Sequence, residues 1–362
     1  MRRFTHRASI RTPDGNSFRR GAARSPGTER ARRDRAARRQ LFSTPVPELL
    51  NRRLIFVTGK GGVGKSTVAV ALGLLAARRG LRTIVAELAS QDRAQRTFDQ
   101  PGEHYAEVEL AERLFTISID PQHAMEEYLR VKTGPVGHAL GSSKLFGAFA
   151  MATPGMRELL SVGKVWELAQ LQRRTGGAAP YDLVIVDAPA TGHGVGLLRT
   201  PRTFAEIARV GPIARQGRAI ANTIADRAFT AVIAVSTAAE MPVNETLVLR
   251  DSLSDDDLPL DTVIVNALYP ERFSAADSVK LRAALERSES ATISAALGAA
   301  LSERARTQTQ QLQLARLREG LATDVVTLPY LFSEQIGPAE LELLADVLEQ
   351  GLARHEALAV SG

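Results

Sequence analysis

Residues 59–67 read Gly59-Lys60-Gly61-Gly62-Val63-Gly64-Lys65-Ser66-Thr67. Gly59, Gly64, Lys65 and Ser66 meet the spacing G-x-x-x-x-G-K-[ST] of a phosphate-binding loop. Glycines at these positions let backbone N–H groups turn inward around phosphate oxygens, and the start of a following helix adds positive potential there. In such a loop Lys65 reaches the β- and γ-phosphates of a nucleotide and the Ser66 hydroxyl holds Mg2+. A carboxylate with a matching task stands further along, where Leu183-Val184-Ile185-Val186 ends in Asp187 and continues as Ala188-Pro189-Ala190-Thr191-Gly192-His193. At a strand tip Asp187 would face a water bound to Mg2+. The Pro and Gly that follow leave the backbone free to rearrange when a γ-phosphate departs. An aspartate at a strand end is also an ordinary turn former; the upstream loop is what favours the metal reading.

The elements needed to position these groups are present. The apolar run Leu54–Thr58 precedes the loop, and a helix-forming stretch from Val68 to Ala77 follows it and stops at Gly80. Further strands are expected at Thr83–Glu87, Leu114–Ile119, Leu183–Val186, Ala231–Val235, Thr262–Val265 and Asp324–Leu328. Short, nearly all-apolar runs separated by helix-length segments predict an α/β fold, a doubly wound and mostly parallel sheet with helices on both faces. Ligands then belong at the carboxyl ends of the strands. Residues 121–180 contain no convincing strand and read as a helical insertion, with helices at Gln122–Val131, Ser142–Met151 and Pro154–Arg174. Its apolar content, Leu145, Phe149, Leu159, Val165, Trp166 and Leu168 among others, suits packing on the sheet or a surface for an apolar client. A polar helical stretch runs from Ala275 to about Glu319, broken near Ser288–Ala291.

The chain has 362 residues, 44% of them hydrophobic, and no cysteine. The composition is that of a soluble globular protein, and the missing thiols exclude disulfides, thiolate nucleophiles and Cys-based zinc sites. No apolar run is long enough for a membrane helix and no signal-like segment follows Met1, so a cytoplasmic location is expected. The net charge of +6 is concentrated in residues 1–50, which hold thirteen Arg against four acids; the remainder is net negative, at −3. This Arg-rich, Gly- and Pro-containing arm is expected to be disordered, and residues 51–362 to form the folded domain. With only Phe4, Phe18 and Phe42 to stack on bases, the arm is a poor nucleic-acid module.

Three segments together carry a family resemblance: the loop Gly59–Thr67, the strand end Leu114-Phe115-Thr116-Ile117-Ser118-Ile119-Asp120-Pro121, and Asp187–His193. From Leu54 to about Gln350 the chain resembles the ArsA/GET family of arsenite-pump and tail-anchored-protein-targeting ATPases. The lysine after the first glycine, Lys60, resembles that of the deviant Walker A class, in which it crosses a dimer interface to the partner's nucleotide; a solvated loop lysine is the plainer reading. The resemblance implies a Mg-ATP-dependent ATPase working as a homodimer, or as a heterodimer with a related subunit. Nucleotide state would be coupled to a client. It also implies that Asp187 is the switch II carboxylate, that Asn266 reads the adenine base, and that the loop opening at Pro329 and running to Gln335 closes over it.

The departures are as informative. The family's switch I opens on an aspartate that positions the attacking water, and an ungapped alignment places Ala89 there, within Ala89-Ser90-Gln91-Asp92. Glu87 and Asp92 are nearby acids in a different register. Loss of a water-positioning group is costly in a mechanism built on positioning, so slow hydrolysis is expected. Without cysteine the chain can hold neither the interfacial zinc of the targeting members nor a thiol-bound metalloid. Two other readings share these features. One is a positioning ATPase of the ParA/MinD kind; the other is a nucleotide-gated scaffold with little turnover.

Overall fold

A computed structural model describes residues 47–88, 92–102, 105–130, 153–173, 178–208 and 211–361. The chain divides into two units, 1–43 and 44–362, and the first lies wholly outside the described residues. The arm expected through residue 50 does not extend so far. Glu48–Asn51 form a 3-10 turn, and Leu50 is completely buried.

Among the described residues eight strands form one sheet: β1 (Leu54–Thr58), β2 (Thr83–Glu87), β3 (Val108–Ala111), β4 (Leu114–Ser118), β5 (Leu183–Asp187), β6 (Thr230–Thr237), β7 (Thr262–Leu268) and β8 (Val326–Pro329). Their spatial order is β3-β4-β2-β5-β1-β6-β7-β8. Every pairing is parallel except that of β3 with β4. The fold is therefore the α/β, mostly parallel sheet that the alternation of apolar runs and helices requires. β3 was not anticipated: it has four residues, only Leu110 is buried, and it adds antiparallel at the sheet edge.

The strands separate two cores by their period of two. Leu54, Phe56, Ile84, Val184, Val186 and Val232 point to one face, and Ile55, Val57, Val85, Ile185, Ile233 and Ile264 to the other. On the second face lies α1 (Lys65–Arg78), with Val68 through Ala77 buried between the sheet and a later helix, α9 (Pro338–Ser361). Between these two come α2 (Arg93–Thr97), α3 (Met156–Leu168), α4 (Thr191–Ala208), α5 (Pro212–Ala225), α6 (Glu240–Ser254), α7 (Ala275–Arg287) and α8 (Ala291–Leu321). The helices α7 and α8 are the polar stretch expected there, broken at 288–290 as its sequence suggests. α7 begins with a reciprocal capping box of Ser274 and Asp277 and buries none of its residues.

The described parts of the insertion are helical at residues 121–130 and in α3. Leu159, Val165 and Leu168 are buried in the first core with Trp166 packed beside them, so this face of the stretch packs on the sheet. The expected helix at Ser142–Met151 lies outside the described residues. Buried ion pairs hold both stems of the insertion: Lys164 Nζ is 2.8 Å from Glu127 Oε1, and Arg173 reaches Glu107 at 2.6 Å and Glu167 at 2.9 Å.

Candidate functional site

The centre of the sheet converges on one cleft. β1 lies between β5 and β6, and its carboxyl end opens directly into Gly59–Gly64. Asp187, the last residue of β5, pairs in register with Val57 of β1 and Glu87 of β2. Three strand tips thus deliver the loop and two carboxylates to one place.

Two glycines of the loop are required by geometry. Gly59 has φ +140°, and a Cβ there would collide with the backbone carbonyl oxygen of Val235 on β6. Gly64 has φ +91°, and its Cβ would strike the side-chain amide of Asn266. These are left-handed or otherwise unfavourable conformations for residues with side chains. Gly61 and Gly62 are exposed at the turn, while Val63 is buried and anchors the loop in the second core. Asn266 lies within β7, and its Nδ2 donates to the Val63 carbonyl at 3.0 Å.

Lys65 and Ser66 open α1 behind Gly64. The Lys65 ammonium donates to the Lys60 carbonyl at 2.9 Å. Burial pushes its pKa down, Asp187 pulls it back up, and Arg93 lowers it further. The Ser66 hydroxyl donates to Asp187 Oδ2 at 2.5 Å. Burial pushes the Asp187 carboxyl above its ordinary value, against the Ser66 hydrogen bond and the charges of Lys65 and Arg93. A cavity of about 290 Å3 opens here, lined by Gly62, Lys65, Thr67, Arg93, Ile336 and Leu341 among others. Gly62, Gly64, the Lys65 ammonium and the Ser66 hydroxyl line it and the Asp187 carboxylate accepts from Ser66, a set of groups that suits a polyphosphate and a hard cation. An adjoining hydroxyl and carboxylate of this kind can hold Mg2+ directly or through water, so the side chains fit the cation that the loop implies.

The remaining candidates fall around this cavity. Glu87 is 2% exposed; its Oε1 accepts the N–H groups of Arg93 at 3.0 Å and Ala94 at 3.2 Å, and its Oε2 accepts from the Ser118 hydroxyl at 3.3 Å. Burial raises its pKa to about 7, with the Ala94 and Arg93 N–H groups and Ser118 lowering it and Asp187 raising it. Asp92 precedes α2 with φ 44° and donates its own N–H to Ser118 Oγ at 3.2 Å. Ala89, with Ser90 and Gln91, lies outside the described residues. Lys60 pairs with Glu245 on α6. Pro329 ends β8, and the loop after it stacks Tyr330 on Tyr269 at 4.6 Å, with Phe332 edge-on to both and Arg272 over the Phe332 ring.

Two residues of this neighbourhood escaped the sequence reading. Arg93 places Nη1 3.3 Å from Ser66 Oγ. Glu245 receives Lys60 from 185 residues away. No local pattern marks either one.

Comparison with known proteins agrees with this geometry. The family model described as anion-transporting ATPase matches residues 52–216 and 206–350. ATPase BagA of Mycobacterium tuberculosis is 33% identical over 239 residues, 63% of this chain and 68% of that protein. ATPase get3 of Botryotinia fuckeliana is 28% identical over 166 residues, 45% of this chain and 47% of that one. The arsenical pump-driving ATPase of Escherichia coli is 25% identical over 237 residues, 60% of this chain and 39% of its own length.

Proposed function

Because the chain belongs to the anion-transporting ATPase family, the ArsA/GET group, we propose that it binds Mg-ATP in the cleft at the end of β1 and couples nucleotide state to pairing with a second ATPase chain. The observation that carries the reading is the placement of Lys65 and Ser66 on one cavity, with the Ser66 hydroxyl donating to the Asp187 carboxylate at 2.5 Å. The backbone of Gly59–Gly64 and Lys65 bind the phosphates. Ser66 and Asp187 would hold Mg2+. Bound there, the cation supplies neutralising charge to the β- and γ-phosphate oxygens. Asn266 and the loop from Pro329 face the base, and Lys60 serves the nucleotide of the second chain. The partner is an identical or a related subunit; a client of the assembly would meet surfaces that include residues outside the described ones.

Hydrolysis is slow in this reading, because Ala89 stands where the family pattern has the water-positioning aspartate. Glu87 and Asp92 are the nearest acids, and both are buried, with Glu87 already accepting three hydrogen bonds. A related subunit with a complete switch would supply the missing carboxylate to the assembly but not to this chain's own site.

The test is nucleotide-induced stabilisation. At a hundredfold excess over Kd, Mg-ATP should stabilise the wild-type protein by about 2.7 kcal/mol. Lys65→Ala should lose nearly all of that shift in a thermal melt. Equal stabilisation of the two proteins would refute binding at this cleft.

A further inference from the structure

Resting on the nucleotide-binding reading above, we propose that Arg93 is a γ-phosphate-recognition residue, a cation delivered to the terminal phosphate from the wall opposite the loop. Its backbone is pinned: the Arg93 and Ala94 N–H groups both donate to Glu87 Oε1, which fixes the start of α2 against the tip of β2. Its side chain is exposed and turns into the cavity, where Nη1 lies 3.3 Å from Ser66 Oγ.

Three features distinguish this arginine from a surface cation. It lines the same cavity as Gly62, Thr67 and Lys65, so its charge enters the same space as that of the loop lysine. The field is strong enough for Arg93 to lower the Lys65 pKa and help hold down that of Asp187. Among the described residues no carboxylate lies within ion-pair distance of its guanidinium, whereas Lys60 and twelve other Lys and Arg side chains, among them Arg78, Arg79 and Lys164, have such partners. A guanidinium that lines a phosphate cavity without a carboxylate in ion-pair contact suits an incoming anion. Arg96, on the same wall, instead directs Nε to the Asp92 carbonyl at 3.4 Å.

The position selects the phosphate. The loop N–H groups enclose the inner phosphates from below. The hydroxyl of the loop serine would hold the cation that neutralises the outer phosphates. A guanidinium beside that hydroxyl, approaching from the switch side, faces the γ-phosphate. Binding of a triphosphate would draw Arg93 inward and, through the two N–H bonds to Glu87, tighten α2 against β2. A diphosphate offers no such partner.

The experiment is calorimetric titration of the full chain with Mg-ADP and with a non-hydrolysable Mg-ATP analogue. Arg93→Ala should weaken the triphosphate about tenfold or more and leave ADP within about threefold. Arg93→Lys should fall between, since an ammonium keeps the charge and loses the fork. Retained ADP affinity also shows that the variant is folded. Equal losses for both nucleotides, or none for either, would overturn the role of Arg93 while leaving the binding site itself intact. Failure of wild type to bind either nucleotide would overturn the binding reading and this inference with it.

Discussion

The two walls of the phosphate cavity are built from different materials. The loop wall, Gly59–Thr67, is backbone held by sterics: Gly59 is wedged under a carbonyl of β6, Gly64 against Asn266, and Val63 is buried in the core. The facing wall, residues 92–97 with Glu87 and Asp187, is side chains held by charge. Glu87 and Asp187 sit on paired strand positions with raised pKa values, and Arg93 leans over Ser66 between the walls. The first wall resists substitution and ignores pH. The second responds to pH and to ligand charge. A nucleotide switch needs both: a fixed cradle to measure against, and a wall whose electrostatics change when a phosphate leaves.

The sharpest way to break the comparison is at the loop. Gly59→Ala should cost about 3 kcal/mol or more, because the new methyl meets a backbone oxygen of a central strand that cannot step aside. Gly61→Ala should cost within about 1 kcal/mol, since nothing lies within 4 Å of the added atom. Urea midpoints of the two variants would measure the contrast. Similar midpoints would mean that the loop wall is softer than its packing indicates.

The switch wall is tested through Glu87. Its pKa of about 7 in the folded protein lies above the ordinary value of 4.5. Between those two pH values the folded chain holds a proton that the unfolded chain has released. Stability should therefore fall as pH rises through that window, by at most about 3 kcal/mol, and level off above it. Glu87→Gln removes the ionisation yet keeps an oxygen for the Arg93 and Ala94 N–H groups. The variant should match wild type near pH 4 and exceed it at pH 8 in nucleotide-free protein. A wild-type curve that rises over this range would show Glu87 to be ionised and stabilising, and the wall to be preorganised like the loop.

The same contrast explains what could be read from the chain alone. The loop wall was legible because its determinants are local. Glycine spacing, the apolar run Leu54–Thr58 before it and the helix after it all fall within thirty residues, and Asp187 closes a strand that is apolar from end to end. The two-faced sheet followed from runs buried on both sides. The switch wall was legible in part, through Asp187, the acids Glu87 and Asp92 and the gap at Ala89, and Arg93 was missed because it acquires its meaning from the meeting of β2, β5 and α2 in space. The edge strand β3 escaped because Val108–Ala111 is short and buries one residue. The apolar residues of α3 fit a core or a client equally well by pattern, and the burial of Leu159, Val165 and Leu168 decided for the core.

The smallest expected stability effect lies at the outer edge of the loop, where Lys60 leaves the backbone-made wall to pair with Glu245 of α6. Both side chains are about one-third exposed, at 30% and 33%, so the pair contributes at most about 1 kcal/mol. Its consequence for association should be larger than that for stability. A lysine that serves a second chain's nucleotide must first leave its own glutamate, so the intrachain pair competes with pairing of the chains. Glu245 also stands on the face of α6 that carries Met241, 59% exposed, and Val248, 67% exposed, one turn to either side. Glu245→Gln removes the competitor and leaves that apolar rim in place. The variant should melt within about 1 kcal/mol of wild type. With Mg-ATP it should self-associate severalfold more tightly in sedimentation velocity, or bind a related subunit more tightly. Lys60→Ala should abolish that gain when combined with it. If Glu245→Gln weakens association instead, the glutamate is part of the contact between chains rather than a restraint on Lys60, and the loop's second lysine is held ready by the same residue that receives the partner.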